Sequence, residues 1–186
     1  MSLLRDSAAA RPVLDADYPK PPKAEVQALD AALLLTTVLE MLGFSARAAG
    51  GRLTVDMPRG LRLLGDRSHL RQVLLNLATT AIEAVGRGGL VTLAARPGED
   101  RQIILEIADN GPGIPPDVEA RIREPFFTTK TEGTGLGLAI VRSLVKEMGG
   151  TIQLESAPRR GTLCRLSFPT APEEPDQNPG GCRRDP

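Results

Sequence analysis

An apolar run, RQIILEIAD, ends in Asp109 and is followed at once by Asn110, Gly111, Pro112, Gly113 and Ile114. A carboxylate at the end of a strand can accept a hydrogen bond from a donor on a ligand, an exocyclic amine for example, while Gly111 and Gly113 let backbone approach closely. The same residue types build tight turns, so this stretch alone reads either way. A second cluster, EGTGLGLAIV, runs Gly133, Gly135 and Gly137 straight into a helical pattern. No Lys-Ser/Thr follows these glycines, which excludes a Walker loop, and no strand precedes them at dinucleotide-binding spacing. What remains is a set of bare backbone N–H groups at a helix N-terminus, suited to phosphate, or a flexible loop entering a helix. Third, Asn76, Thr80, Glu83 and Arg87 follow one another at steps of four, three and four residues, which places them on one helix face opposite an apolar stripe. That face is either a ligand surface or a solvated one.

Between the first two clusters lies PPDVEARIREPFFTTKTEGTG, with Pro115, Pro116, Pro125, Phe126, Phe127 and Lys130. A loop this long inside a compact domain is usually functional or disordered. The aromatic pair could pin it to the body, and Arg121, Arg123 and Lys130 supply charge for a phosphate, which together suggest a lid.

Regular elements must hold these clusters. A helix capped by Asp66 or Ser68 places Leu70, Val73, Leu74, Leu77, Ala78, Ala81, Ile82 and Val85 on one stripe before GRGG ends it. An earlier helix is expected over LDAALLLTTVLEMLGFSARAAGG, stopped by Gly50 or Gly51, and a third over LGLAIVRSLVKEM, stopped by Gly149 and Gly150. RLTVDMP and LRLLGD read as short strands. LVTLAAR with RQIILEIAD, and TIQLES with LCRLSF, read as antiparallel hairpins. Helices and mostly antiparallel strands in this order predict a two-layer α/β sandwich with one face of the sheet covered by helices.

The 186 residues, 41% of them hydrophobic, suffice for one domain with tails. Lys plus Arg (23) equals Asp plus Glu (23), so there is no basic field of the kind that nucleic-acid or membrane-surface binding needs, and neither partner is expected. Cys164 and Cys182 cannot form a disulfide framework and suit a reducing cytosol. Arg5 and Asp6 stand where a signal peptide needs its apolar segment, and AALLLTTVLEMLGF is shorter than a bilayer span, so a soluble protein is expected. Proline and small or charged residues mark 1–28 as a disordered or linker segment and 170–186 as a disordered tail.

Taken in order, LRQVLLNL…AIEA, DNGPGI, REPFFTTK and GTGLGLAIV resemble the Asn, first glycine, phenylalanine and second glycine boxes of the ATP-binding catalytic domain of bacterial sensor histidine kinases, in the ATPase superfamily shared with gyrase, Hsp90 and MutL. The likeness covers about 29–169 and implies a Bergerat-type fold in a cytoplasmic protein, or in the cytoplasmic part of a larger receptor. It also implies ATP or ADP as ligand and Mg as cofactor. By this resemblance Asp109 accepts from the adenine amino group, and Gly111 and Gly113 shape the base pocket. Gly133, Thr134, Gly135, Leu136, Gly137 and Leu138 wrap the phosphates, with Lys130 and Arg123 helping from the lid.

Asn76 matches the first asparagine of the Asn box. The family's second asparagine, four residues on and followed by Ala, ligates magnesium; here that position is Thr80, followed by Ala81. Asn76 and Thr80 are therefore the implied metal ligands. Phosphoryl transfer is mostly positioning and charge neutralisation, and a threonine hydroxyl is shorter than an amide and a poorer ligand. Two expectations follow: a kinase domain that supplies the terminal phosphate of ATP to a histidine on a separate domain or chain, or a nucleotide-binding pseudokinase with impaired transfer. No catalytic base is evident in this chain. Its only histidine, His69, is followed by Leu70 rather than an acidic residue, and is expected to be a surface residue of a first helical turn. The expected partners are thus a phosphoacceptor domain in cis or in trans and, indirectly, a response regulator.

Overall fold

The computed structural model describes residues 24–122, 127 and 135–172. Asp30 closes a short strand, β1 (Gln27–Asp30), and caps helix α1 (Ala31–Ala48): its Oδ1 accepts from the N–H groups of Ala32 at 2.7 Å and Leu33 at 3.2 Å. Leu29, expected inside this helix, is instead a buried strand residue. By length and composition α1 is apolar enough to cross a membrane. Its Ala31, Leu34, Leu35, Val38 and Ala46 are nevertheless buried in the core, and the helix packs on the neighbouring strand β2 (Arg52–Asp56).

β3 (Arg62–Gly65) pairs antiparallel with β1, which carries the ordered structure upstream of residue 29. It leads into α2 (Arg67–Val85), whose N-cap is Asp66. β4 (Leu90–Pro97) and β5 (Gln102–Asp109) form the expected hairpin. A short helix, α3 (Pro116–Arg121), occupies the start of the stretch expected to be all loop; Pro at the first helical position costs no hydrogen bond, since that N–H has no partner in any helix. Then come α4 (Gly137–Glu147), β6 (Thr151–Ser156) and β7 (Thr162–Pro169). The five-stranded sheet runs β2-β4-β5-β7-β6, with β2–β4 parallel and the other pairs antiparallel. This is the mixed, mostly antiparallel sheet the sequence predicts.

Strand alternation decides which side chains meet the helices. Val91, Leu93 and Ala95 of β4, Ile103, Leu105 and Ile107 of β5, and Cys164, Leu166 and Phe168 of β7 are all buried in the core they share with α1, α2 and α4. The next residues on that face are Asp109 and Thr162, and they are register partners. The opposite face carries a row of charge across all five strands. Arg96 Nη2 lies 2.7 Å from Asp56 and its Nε 3.5 Å from Glu106; Arg165 Nε lies 3.0 Å from Glu106, and its guanidinium also pairs with Glu155.

Asp66 does more than cap α2. Its Oδ1 accepts from the Ser68 N–H (2.8 Å), the Ser68 hydroxyl (2.6 Å) and the His69 N–H (2.9 Å), and its Oδ2 from the Glu25 N–H at 2.8 Å. The Asp66 N–H points at Met148 Sδ, 3.3 Å away, just beyond α4. The expectation for His69 is corrected here: it is only 6% exposed, because one turn before Val73 it falls on the buried stripe of α2. Its Nδ1 sits 3.8 Å from Asp66 Oδ1 and has no hydrogen-bond partner among the described residues.

Burial alone would raise the Asp66 carboxyl. Hydrogen bonds from the Ser68 hydroxyl and from the His69 and Glu25 amides, with the nearby His69, outweigh it and hold the pKa at about 2. Because the folded value lies below the unfolded one, the stability from Asp66 is complete above the unfolded pKa and is lost as pH falls through the folded one. Asp66→Ala is expected to cost about 2 kcal/mol at neutral pH and to flatten the decline in stability on acidification toward pH about 2. Urea unfolding across that range checks it; parallel pH curves for the two proteins would show that the cap is not the source.

Candidate functional site

Asp109 is half-buried where the core of the sheet gives out. Its Oδ1 accepts from the Gly111 N–H at 2.8 Å. Burial raises the Asp109 carboxyl above its ordinary range, against hydrogen bonds from the Gly111 N–H and from the N–H and hydroxyl of Thr162, which pull it back only in part. The site thus keeps a partly desolvated acceptor at a strand end. Asn110 anchors it from the other side: its Oδ1 accepts from the Leu90 N–H at 2.8 Å, and its own N–H donates to the Leu90 carbonyl at 3.2 Å.

The glycines of the following turn are required by close approach. A Cβ on Gly111 would lie 2.9 Å from Asp109 Oδ1 and 3.3 Å from the Ala84 carbonyl near the end of α2. Gly113 has φ +71°, and a Cβ there would fall 1.9 Å from the Ala157 carbonyl. The loop is then fastened to the β6–β7 turn by two bonds: the Arg159 N–H donates to the Pro112 carbonyl at 2.7 Å, and the Ile114 N–H to Ser156 Oγ at 2.8 Å. A shallow depression of about 350 Å³, open to solvent, borders this seam; besides Asp109 and Thr162 it is lined by Ala108, Leu163 and Glu155, register partners on the open face of the sheet.

On α2 the face opposite the core presents Asn76, half-buried, then Thr80 and Glu83, both exposed. The same helix touches the Asp109 loop through Ala84, near its C-terminal end, and packs on α4. At α4, Gly135 has φ +68° and Leu136 is the N-cap, with no side-chain cap bond. Among the described residues no side chain caps the N–H groups of Gly137 and Leu138, the groups that a helix terminus offers to an anion. A Cβ on Gly137 would meet nothing within 4 Å, so internal packing does not demand that glycine.

Arg123, Lys130, Gly133 and Thr134 lie outside the described residues. Of the other residues expected to serve the phosphates, the guanidinium of Arg121 sits over the ring of Phe127, 4.4 Å from its centroid, a cation–π contact that links α3 to Phe127. The donor types suit magnesium, which takes oxygen ligands, keeps several waters and is usually held by few protein groups together with substrate phosphates. The Asn76 amide and the Thr80 hydroxyl, one turn apart, supply two such oxygens.

Residues beside Asp109 that are absent from the sequence expectation include Ser156, Gly161 and Thr162. The signal that could have found Thr162 is strand alternation counted back from Leu166 and Cys164, which puts it on the face of Asp109.

The profile of the family described as histidine kinase-, DNA gyrase B- and HSP90-like ATPase matches residues 65–172. The sensor histidine kinase ZraS of Klebsiella oxytoca is 36% identical over 159 residues, which cover 85% of this chain and 34% of that protein. The chain thus spans about a third of the length of this curated relative. Among solved structures, the nucleotide-free catalytic domain of histidine kinase ThkA aligns with a TM-score of 0.70 at 31% identity, covering 78% of this chain and 95% of that one. Full-length ShkA in complex with AMPPNP aligns with a TM-score of 0.72 at 32% identity, covering 81% and 32%. None of these relatives supports the alternative of a nucleotide binder that has lost transfer.

Proposed function

Since the chain belongs to the family of histidine kinase-, DNA gyrase B- and HSP90-like ATPases, we propose that it is the part of a two-component sensor histidine kinase that binds ATP and presents its terminal phosphate to a histidine on a separate domain or chain. The observation that carries this reading is the half-buried Asp109 carboxylate at the end of β5, which accepts from the Gly111 N–H at 2.8 Å. It is a hydrogen-bond acceptor of the kind an adenine amino group needs, and the alignment with ShkA in complex with AMPPNP supports a nucleotide as the ligand.

In this reading Asp109 orients the base, and Gly111 and Gly113 let the loop lie close under it. The N–H groups at the start of α4, from Gly135, Leu136, Gly137 and Leu138, receive the phosphates, with Gly133, Thr134, Lys130 and Arg123 contributing from the preceding segment. Asn76 and Thr80 hold magnesium, which when bound neutralises phosphate charge. An imidazole nitrogen of the partner attacks the terminal phosphorus, the bond to the leaving oxygen of ADP breaks, and this chain contributes orientation rather than a base. The phosphate then passes to a response regulator. The functional unit is 29–169, acting in the cytoplasm with a phosphoacceptor domain.

The test is to supply the chain with ATP, magnesium and the separate phosphoacceptor domain of a ZraS-type kinase. Acid-labile phosphate on that domain's histidine is expected, and no transfer at any magnesium concentration would overturn the kinase reading. Thr80→Asn is expected to tighten magnesium binding about fivefold, the worth of one contact of about 1 kcal/mol, with metal-free ATP affinity little changed. A magnesium titration of nucleotide fluorescence reads it, and unchanged magnesium affinity would remove Thr80 from the metal site.

A further inference from the structure

Asn110 is the first residue beyond β5, and it meets Leu90 one rung past the pairing of Val91 with Asp109. In a regular antiparallel ladder a hydrogen-bonded pair exchanges two main-chain bonds. Here only one is main-chain: the Asn110 N–H donates to the Leu90 carbonyl at 3.2 Å, whereas the Leu90 N–H donates to Asn110 Oδ1 at 2.8 Å. An N–H can only donate, so the oxygen of the carboxamide, not its nitrogen, faces Leu90. The side chain has taken the place of the Asn110 main-chain carbonyl.

That exchange decides what the next peptide can do. The Asn110 carbonyl and the Gly111 N–H belong to one planar trans unit and point in opposite directions. A regular rung would aim the carbonyl at β4 and send the Gly111 N–H to the other side, as in the next step of an extended strand. With the carbonyl relieved of Leu90, the unit can rotate, and the Gly111 N–H comes back to Asp109 Oδ1, two residues earlier, at 2.8 Å. An aspartate that accepts from the N–H two residues on makes an Asx turn. The strand therefore ends at Asp109 for a reason carried by its neighbour, and the same event fixes the orientation of the Asp109 carboxylate.

We propose that Asn110 is a positioning residue for nucleobase recognition: by putting its side-chain oxygen in place of its main-chain carbonyl, it releases the Gly111 N–H to hold the Asp109 carboxylate as an acceptor for the exocyclic amine of the base. Without the carboxamide, the main-chain carbonyl of residue 110 becomes the acceptor for Leu90, the rung turns regular, and Gly111 leaves Asp109. Asn110 touches no ligand in this scheme. The proposal rests on Asp109 reading the base, as in the proposed function.

Two measurements on the full chain test it, with Asn110→Ala and with Asn110→Leu, which matches the carboxamide in shape but has no acceptor. Asn110 is exposed, so both variants should fold. In amide hydrogen exchange without nucleotide, Gly111 is expected to exchange about tenfold faster in both, the worth of a hydrogen bond to a carboxylate, while Leu90 stays slow because the new rung protects it. Loss of protection at Leu90 as well would mark a plain anchor and overturn the exchange of acceptors. The second measurement compares affinity for ATP and for purine riboside triphosphate, which lacks the exocyclic amine. The unmodified chain is expected to prefer ATP, and both variants should reduce that preference about fivefold. Asn110→Asp keeps an acceptor oxygen in the same place and should keep the preference; its added charge acts on both nucleotides through their phosphates and cancels in the ratio. A merely structural role would weaken both nucleotides equally, and an unchanged ratio in the alanine and leucine variants would overturn the proposal. If the unmodified chain shows no preference for ATP, it is the reading of Asp109 that fails, and the role of Asn110 in recognition with it.

Discussion

Asp109→Ala is expected to weaken ATP binding about 100-fold, or close to 3 kcal/mol, while costing the folded chain only about 1 kcal/mol. The estimate combines a hydrogen bond to a charged acceptor, about 1.5–3 kcal/mol, with the cost of leaving the ligand's amine without a partner in a site withdrawn from water. Asp109→Asn should fall between, since it keeps one acceptor oxygen, but that oxygen must satisfy the Gly111 N–H as well.

The stability half of the expectation comes from the direction of the pKa. The Asp109 carboxyl is raised by burial, so the folded state holds its proton more tightly than the unfolded state does. Whatever stability this group contributes is complete below the unfolded pKa and is lost as pH rises through the folded one. At neutral pH its ionisation weighs slightly against folding, which offsets part of the cost of leaving the Gly111 N–H without its acceptor, so the net loss should stay at about 1 kcal/mol. Titration calorimetry alongside thermal melts checks both halves; a large loss of stability in the alanine variant would mean that Asp109 is structural. For the same reason, ATP affinity of the unmodified chain should decline on acidification sooner than for an ordinary aspartate.

The largest effect on the fold is expected at Gly161. Its φ is +78°, and a Cβ there would fall 1.9 Å from the Asp109 carbonyl oxygen, 2.9 Å from its carbon and 3.1 Å from Asn110 Cα. Every one of these atoms is backbone at the end of the β5–β7 pairing, so nothing can rotate aside. A left-handed alanine costs about 1–2 kcal/mol and forced overpacking about 1–3 kcal/mol more, so Gly161→Ala should lose roughly 3 kcal/mol or more and most nucleotide binding. Gly137→Ala is the control: open space surrounds it, and its unfolding midpoint should not fall. If Gly161→Ala unfolds at the same urea concentration as the unmodified chain, the close approach of β7 to the Asp109 turn is not as described.

What could be read from the sequence was local. The stripe from Leu70 to Val85, the acidic N-cap at Asp66 and the two hairpins are encoded within a few residues of where they act, and so were the residues of the Asp109 turn. What could not be read was pairing between distant segments. Nothing in RLTVD announces a parallel partner in β4, and β1 was lost to the adjoining helix because Leu29 continues its apolar pattern. His69, an ionisable residue expected at the surface, is buried because its spacing from Val73 puts it on the apolar stripe of α2. The link from Ile114 to Ser156 spans 42 residues and has no local signature.

The row of charges on the open face has a consequence for Asp109 that its individual strengths would not suggest. Exposed ion pairs contribute little to stability one by one, typically under about 1 kcal/mol. Yet Asp56, Arg96, Glu106, Arg165 and Glu155 alternate in sign across all five strands, with Arg165 held between two carboxylates. Any strand that slid by two residues would keep its apolar side inward and still forfeit its partners in this row. The charges act as a vernier: they distinguish the correct alignment of β5 and β7 from one that hydrophobic burial would tolerate. Only in that alignment does Thr162 stand opposite Asp109.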